Sequence, residues 1–225
     1  MATEPPTNRP APTAALRHAL SRLELGHDLT EAETESAVAD IIAGGAPQDD
    51  VRSFLMRLRE KGEAASEVAG AVRALRGAMR RVRHADPASL VDTCGTGGGR
   101  VTTINVSTAA AFVAAGGGVA IAKHGNRSHT SRSGSADVLE AAGVGIDLDP
   151  ERAAQVLEAI GLVFLFAPSY HPAMRHVAAV RRELGVPTLM NLVGPLANPA
   201  GVSRQVIGVA DLARGPVIAE ALVRI

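Results

Sequence analysis

The sequence predicts an α/β protein in which an all-helical segment precedes a mainly parallel sheet. Three observations support this fold class. Apolar residues recur at helical spacing through residues 13–84. From Pro87 onward, short apolar runs alternate with glycine-rich loops and further helical stretches, as in a parallel sheet covered by helices. The 225 residues, 46% hydrophobic and 20% charged, suffice for a sizeable core and exclude a disordered chain.

The first part of the chain is predicted to contain a tail and four helices. Residues 1–12 are rich in proline and are expected to form a flexible tail, whereas residues 13–84 form the helical domain. Thr30 and Glu33 have the spacing of a capping box that opens the second helix, and a glycine pair closes that helix. The fourth helical pattern is the longest and is predicted to run to Val82.

Residues 85–225 are predicted to form the α/β domain. The predicted strands are 90–91, 119–122, 162–166, 188–190 and 205–209, and the predicted helices are 107–115, 135–142, 150–160, 172–184 and 216 onward. The last helix has an apolar face but stops at Ile225 without a polar cap, which predicts a chain cut short. The absence of further strands and helices is then expected to expose an apolar face or edge of the sheet.

The composition excludes several classes of function. With 23 Lys+Arg and 23 Asp+Glu, the net charge of +0 argues against nucleic acid or an anionic membrane as a partner. Aromatic residues make up only 2%, which argues against base stacking. No apolar run reaches the length of a membrane span. The single cysteine, Cys94, cannot form an internal disulfide, which predicts a cytoplasmic location. The basic residues between 73 and 84 are therefore interpreted as a solvated face or a seam between domains.

The first candidate site is the glycine-rich segment 92–100 (DTCGTGGGR), which follows a predicted strand and precedes the helix near Ser107. Glycine lets backbone N–H groups approach an anion closely, and a helix N-terminus adds positive potential. The segment lacks the Walker lysine and the dinucleotide spacing, so it predicts a phosphate cradle of another type. Alone, it is equally compatible with a turn that serves close packing.

The second candidate site, residues 123–135, follows the next predicted strand, at the edge where parallel sheets bind ligands. Lys123, Arg127, clustered hydroxyl groups and a helix start favour a second anion site over a solvated basic loop. Asp137 and Glu140, on the helix that follows, are interpreted as a solvated face. Two such loops after successive strands imply a ligand with two separated phosphate groups.

The third candidate site comprises residues 171–176 (HPAMRH) with Arg181 and Arg182, on the predicted helix at 172–184, followed by residues 191–199. Arg175 and Arg182 share one face of this helix, and Arg181 lies about 100° away. An arginine on such a helix can bind a carboxylate, although surface arginines are usually only solvated, so both alternatives stay open. His171 could cap the start of this helix.

In this order, the three sites resemble the anthranilate phosphoribosyltransferases. Segments 122–127 (AKHGNR) and 133–140 (SGSADVLE) are shared in part with pyrimidine nucleoside phosphorylases. Segment 166–174 (FAPSYHPAM), followed by Arg181 and by 191–199 (NLVGPLANP), is similar to the anthranilate enzymes alone. The resemblance implies the nucleoside phosphorylase/phosphoribosyltransferase fold. It also implies transfer of the phosphoribosyl group of 5-phosphoribosyl-1-pyrophosphate (PRPP) to the amine of anthranilate, with release of pyrophosphate.

The resemblance also assigns roles to residues. It implies Mg²⁺ as the cofactor with Ser107 as a ligand, and a homodimer formed through the helical domain. Anthranilate is expected to contact Gly95, Asn126 and Arg181, with Arg181 near its carboxylate. No general acid or base is implied, since positioning and leaving-group stabilisation carry such a reaction. The residues expected to bind PRPP are Gly95, Gly98, Gly99, Thr103, Asn105, Val106, Ser107, Thr108, Lys123, His124, Gly125, Asn126, Arg127, Ser128, His129, Thr130, Ser131 and Ser135.

Two departures from the family pattern qualify this expectation. The family usually has an acidic residue after Gly-Thr-Gly-Gly, where this chain has Gly99 followed by Arg100. The chain also lacks the family's Asp-Glu pair, which binds magnesium in the C-terminal part of the α/β domain. This chain alone is therefore expected to be poorly active or inactive. The alternatives are a pyrimidine nucleoside phosphorylase relative and a non-catalytic binding protein of the same fold.

Overall fold

The computed structural model describes residues 12–98, 104–128 and 133–225. Four helices come first: α1 (Ala14–Glu24), α2 (Glu31–Ala43), α3 (Gln48–Lys61) and α4 (Ala65–Ala78). The predicted capping box is confirmed, because the Thr30 hydroxyl accepts from the Glu33 backbone N–H at 3.2 Å while the Glu33 carboxylate accepts from the Thr30 N–H at 2.8 Å. Gly44 ends α2 in the left-handed conformation, with φ of 87°.

The prediction that the fourth helix runs to Val82 is wrong. Helix α4 ends at Ala78, and Met79 is extended. The Val82 backbone N–H donates to the Pro199 carbonyl at 3.0 Å. A bond to a distant segment thus replaces the next helical turn, although Val82 keeps the buried position that the apolar pattern indicated.

Among the described residues, four parallel strands form one sheet, which confirms the predicted fold class. They are β1 (Val91–Gly95), β2 (Ile121–Gly125), β3 (Leu162–Phe166) and β4 (Arg204–Gly208), in the spatial order β3-β2-β1-β4. The helices that accompany the sheet are α5 (Val106–Gly116), α6 (Ser135–Ala141), α7 (Pro150–Ile160), α8 (Ala167–Tyr170), α9 (Arg175–Leu184), α10 (Leu189–Val193) and α11 (Gly215–Arg224).

Three strand predictions need correction. The strand expected at 90–91 begins at Val91 and runs on to Gly95 as β1, so the first residues of the glycine-rich segment lie within a strand. Residues 188–190 were expected to be a strand, but they begin α10, because the Asn191 side-chain oxygen accepts from the Thr188 N–H at 3.0 Å and fixes a helix start. Strand β2 starts later than predicted and reaches Gly125, so Lys123 lies inside the strand. Its place in a buried strand is explained by partners on β1, described below.

The helical core is shared by both parts of the chain. The largest buried cluster contains residues of α1–α4 together with residues of α9, α10 and α11. The basic residues between 73 and 84 include some that lie at this seam: the Arg76 Nε donates to the Leu196 carbonyl at 3.0 Å, and the Arg80 backbone N–H donates to the Tyr170 carbonyl at 2.8 Å. A second cluster, which includes Leu157 and Leu165, lies between α7 and the sheet.

Apolar surface remains exposed, as expected from the sequence. Strand β4 lies at one edge of the sheet, where Val206 is 68% exposed. Helix α5 exposes Phe112 and Val113. In the part of the chain that the structure describes, no helix has the length and the apolar character needed to cross a membrane.

Candidate active site

Four segments meet at the carboxyl ends of β1 and β2. The Thr93 hydroxyl of β1 donates to the Ser107 carbonyl at the start of α5, at 2.7 Å. The Asn105 amide, just before α5, donates to the Ser133 hydroxyl, just before α6, at 3.3 Å. These bonds bring the first two predicted sites together at one edge of the sheet, where parallel α/β proteins bind ligands.

The glycine-rich segment has the backbone that a phosphate cradle requires. Gly97 and Gly98 have φ of 70° and 76°, which only glycine adopts readily. Gly95 ends β1, and a Cβ there would lie 3.1 Å from the Gly208 carbonyl oxygen of β4, so close strand packing also requires this glycine. Gly99 and Thr103, both predicted to bind PRPP, lie outside the described residues.

Lys123 is buried between the two strands. It is 4% exposed, and its ammonium donates to the Thr93 carbonyl of β1. Burial lowers the pKa of Lys123, although the nearby Asp92 carboxyl acts against that shift. Lys123, which was predicted to bind phosphate, therefore already has a protein partner in the Thr93 carbonyl.

Side chains join β1 and β2 where the backbone ladder does not. The register pairs these strands only at Val91 and Ile121, whereas β1 and β4 pair at five positions. Asp92, which is 0% exposed, accepts from the His124 backbone N–H at 3.0 Å, from the Asn198 amide at 2.9 Å and from the Gln205 amide at 3.1 Å. Burial raises the pKa of Asp92, and these three hydrogen bonds act against the shift. The interaction network of Asp92 thus holds the end of β2 in place.

Sequence reasoning assigned no role to this network. Asn198 also donates to the Ala122 carbonyl at 2.8 Å, so it bridges both strands. One signal was available: Asp92 is a charged residue within a buried strand, and such a residue needs specific partners. Its three donors lie 32 to 113 residues away along the chain, so the sequence could not identify them.

Two buried histidines face each other beside this network. The rings of His124 and His171 have centroids 5.1 Å apart and are tilted by 55°. Burial lowers the pKa of His124 to about 3 and that of His171 to about 4, so both rings are neutral at neutral pH. Both ring nitrogens of His171 are buried without a hydrogen-bond partner among the described residues. His171 occupies the N-cap position of the 3-10 turn (Pro172–Met174) that leads into α9, but among the described residues its side chain makes no capping hydrogen bond.

The residues after β2 bend back onto α6. Asn126 is exposed, and its carbonyl accepts from the Ser135 hydroxyl at 3.2 Å. Arg127 forms ion pairs with Asp137 and Glu140, so the interpretation of these two carboxylates as a merely solvated face is wrong. His129, Thr130 and Ser131 lie outside the described residues.

Arg181 stands apart from the other candidates. It lies half-buried on α9, and burial lowers its pKa. Within 12–98, 104–128 and 133–225, its guanidinium has no hydrogen-bond or ion-pair partner, and no such bond joins it to Asn126 or Gly95. A desolvated cation without a protein partner is suited to a carboxylate ligand.

The described residues offer little to a metal ion by themselves. They contain no group of three or more His, Cys, Asp or Glu side chains that could hold one. Ser107, half-buried at the start of α5, supplies one hydroxyl oxygen. This donor fits Mg²⁺ that is bound mainly through substrate phosphates and water, but not a metal held by the protein alone.

Models of one glycosyl transferase family match both parts of the chain: its helical bundle domain matches residues 17–79, and its a/b domain matches residues 87–225. The chain belongs to this glycosyl transferase family. Among its relatives, the anthranilate phosphoribosyltransferase of Methanosarcina barkeri is 53% identical over 192 residues, which are 85% of this chain and 52% of the relative. That of Rubrobacter xylanophilus is 53% identical over 207 residues, 92% of this chain and 60% of the relative.

Solved structures of family members agree. Anthranilate phosphoribosyltransferase from Thermus thermophilus superposes with a TM-score of 0.86 at 47% identity, over 92% of this chain and 62% of that one. The Saccharomyces cerevisiae enzyme in complex with PRPP and Mg superposes with a TM-score of 0.84 at 30% identity, with the same coverage. The resemblance indicated by the motifs is confirmed. The chain spans 52% and 60% of the length of the two curated relatives.

Proposed function

We propose that this chain serves the transfer of a phosphoribosyl group from PRPP to anthranilate, with release of pyrophosphate. The main support for the proposal is that the two predicted anion sites lie side by side at the carboxyl edge of the sheet. The hydrogen bond from Asn105 to Ser133 joins them there. The names of the relatives support the same reaction.

In this proposal the chain binds and orients both substrates and supplies no general base. The glycine-rich segment and the start of α5 hold the pyrophosphate with backbone N–H groups, and residues 123–128 and 133–135 hold the phosphoribosyl side. Ser107 would contribute one oxygen ligand to Mg²⁺, which would supply charge neutralisation at the pyrophosphate. Arg181 holds the anthranilate carboxylate, and Asn126 and Gly95 orient the ring. The amine nitrogen then bonds to C1′ as the bond from C1′ to the pyrophosphate oxygen breaks, and the amine proton passes to solvent or to the released pyrophosphate. Positioning and leaving-group stabilisation promote this step.

Calorimetric titration of the chain with PRPP, with and without Mg²⁺, tests the proposal. We expect saturable binding that Mg²⁺ strengthens and that Lys123→Ala abolishes. Ser107→Ala, at a half-buried position, should keep the fold and remove most of the Mg²⁺ effect. Arg152→Ala, at an exposed position of α7, removes a cation elsewhere and should leave PRPP binding unchanged. Absence of PRPP binding by folded chain would refute the proposal.

Binding experiments on the same chain also distinguish the alternative functions. Binding of a pyrimidine nucleoside with free phosphate, in place of PRPP, would identify a phosphorylase relative. A salt-sensitive shift of DNA would favour a non-catalytic binding protein. Anthranilate binding that Arg181→Gln weakens would support the assignment of the second substrate.

Several further properties belong to the proposal. They are a homodimer through the helical domain, a cytoplasmic location, and domain limits at 13–84 and 85–225 with 1–12 as a tail. The homodimer is supported by the family resemblance, and the location by the single, free thiol of Cys94. Light scattering after size exclusion tests the dimer, since a mass near 23.1 kDa would contradict it.

A further inference from the structure

Arg127, which the resemblance assigns to PRPP, is held by protein groups through both of its terminal nitrogens. Its Nη2 donates to one oxygen of Glu140 at 2.8 Å, and its Nη1 donates to the other oxygen and to Asp137 at 3.1 Å. The guanidinium also lies over the ring of Phe166, 5.5 Å from the centroid. These bonds use three of the five guanidinium N–H groups, and two carboxylates already neutralise the positive charge that would attract a phosphate.

The Asp137 carboxylate binds backbone N–H groups on both sides of the segment that follows Arg127. One of its oxygens accepts from the Gly134 backbone N–H at 2.7 Å and from the Ser128 N–H at 3.3 Å. Residues on both sides of the segment thus bind one carboxylate at the start of α6. These hydrogen bonds lower the pKa of Asp137, the one from Gly134 most, so the carboxylate remains charged when it holds them.

Where the end of β2 meets the start of α6, the chain is too crowded for a side chain at Gly134 or Gly125. A Cβ on Gly134 would contact the Ser128 backbone nitrogen and would lie 2.7 Å from the Asn126 carbonyl oxygen. At Gly125 a Cβ would contact the Ser135 hydroxyl and lie 2.7 Å from the Phe164 ring. The end of β2 and the start of α6 therefore meet at one closed junction.

We infer that Arg127, Asp137 and Glu140 form a clamp that positions the described residues on either side of the segment after β2, 126–128 and 133–135, for PRPP, and that Arg127 is a positioning residue rather than a phosphate ligand. This inference rests on the proposed function, because PRPP is the ligand that the segment is expected to hold. The clamp lies outside the phosphate contacts themselves and acts through the backbone at Ser128 and Gly134.

The direction in which Glu140→Gln changes the affinity for PRPP distinguishes a clamp from a direct contact between Arg127 and phosphate. If Arg127 bound phosphate, Glu140→Gln would release the guanidinium and remove a nearby negative charge, so PRPP would bind more tightly. In the clamp, the same change loosens the segment. We expect PRPP to bind about fivefold more weakly, the scale of one lost paired carboxylate. Glu151→Gln, an exposed carboxylate on α7, controls for the charge change alone.

A double-mutant cycle provides the second readout. Arg127→Gln should cost less affinity in the Glu140→Gln background than in the unmodified chain, because both changes break the Arg127–Glu140 bond and only the contacts of Arg127 with Asp137 and Phe166 remain to be lost. Tighter or unchanged PRPP binding by Glu140→Gln, or additive losses in the cycle, would overturn the inference. If the unmodified chain binds no PRPP, the proposed function fails, and amide exchange measured by NMR decides on the clamp. Faster exchange at Ser128 and Gly134 in Asp137→Asn supports it, and unchanged exchange overturns it.

Discussion

The two buried histidines make the stability of this protein depend on pH above the range in which carboxylates titrate. In the folded state the pKa is about 3 for His124 and about 4 for His171, against 6.5 for an unperturbed histidine. The unfolded chain therefore takes up protons that the folded protein does not. The corresponding stability is complete well above pH 6.5 and falls as the pH falls toward the folded-state values.

The size of the pH-dependent loss of stability follows from the lowered pKa values of His124 and His171. Between about pH 7.5 and about pH 5, each buried histidine should lower the free energy of unfolding by about 2 kcal/mol, and the pair by about 4 kcal/mol. Within this range the low pKa of Glu33, about 2, contributes nothing, since its stabilisation is lost only below pH 4.5. Asp92, with its raised pKa, acts with the opposite sign, but it does so equally in every variant compared.

Urea unfolding followed by circular dichroism at several pH values tests this reasoning. His171→Phe keeps a ring but cannot be protonated, so it should reduce the pH-dependent loss by about half, to about 2 kcal/mol. His27→Asn, at an exposed position, removes a histidine and should leave the loss unchanged. The reasoning is refuted if His171→Phe and the unmodified chain lose the same free energy between the two pH values.

Three further substitutions should lower the free energy of unfolding, measured by urea titration at neutral pH. Asp92→Asn turns an amide toward the amides of Asn198 and Gln205 and should cost about 2–4 kcal/mol; a loss below about 1 kcal/mol would contradict the buried network. Phe54→Ala empties a 0%-exposed position of the helical core and should cost about 3–5 kcal/mol. Thr30→Ala removes the side-chain cap of α2 and should cost about 1 kcal/mol, whereas no loss would show that the cap is dispensable.

Elements with local signals were predictable from the sequence. The capping box of Thr30 and Glu33 and the left-handed Gly44 involve residues close together in the chain, so their pattern alone defines both ends of α2. Residues 188–190 were not predictable in this way. A short apolar run fits a strand or a helix equally well, and here the side chain of Asn191 and burial in the helical core favour the helix.

The candidate site was predictable in its segments but not in its contacts. The glycines, the basic residues and the two helix starts identified the edge of the sheet at which α5 and α6 begin. Lys123 looked like a loop residue, because its partner, the Thr93 carbonyl, lies 30 residues away. The engagement of Arg127 by Glu140 was equally hidden, since spacing shows that two charges can meet but not which partner each one binds.

The distribution of these contacts decides which substitutions can separate folding from binding. Asp92 and Asn198 connect β1 with β2 where the backbone ladder is absent, so a change there disturbs the sheet and the candidate site together. Glu140 is exposed and its carboxylate pairs with Arg127, so its replacement leaves the core intact. A loss of PRPP affinity in Glu140→Gln without a loss of stability would therefore report on the arrangement of the segment after β2. A matching loss of both in Asp92→Asn would report on the sheet beneath it.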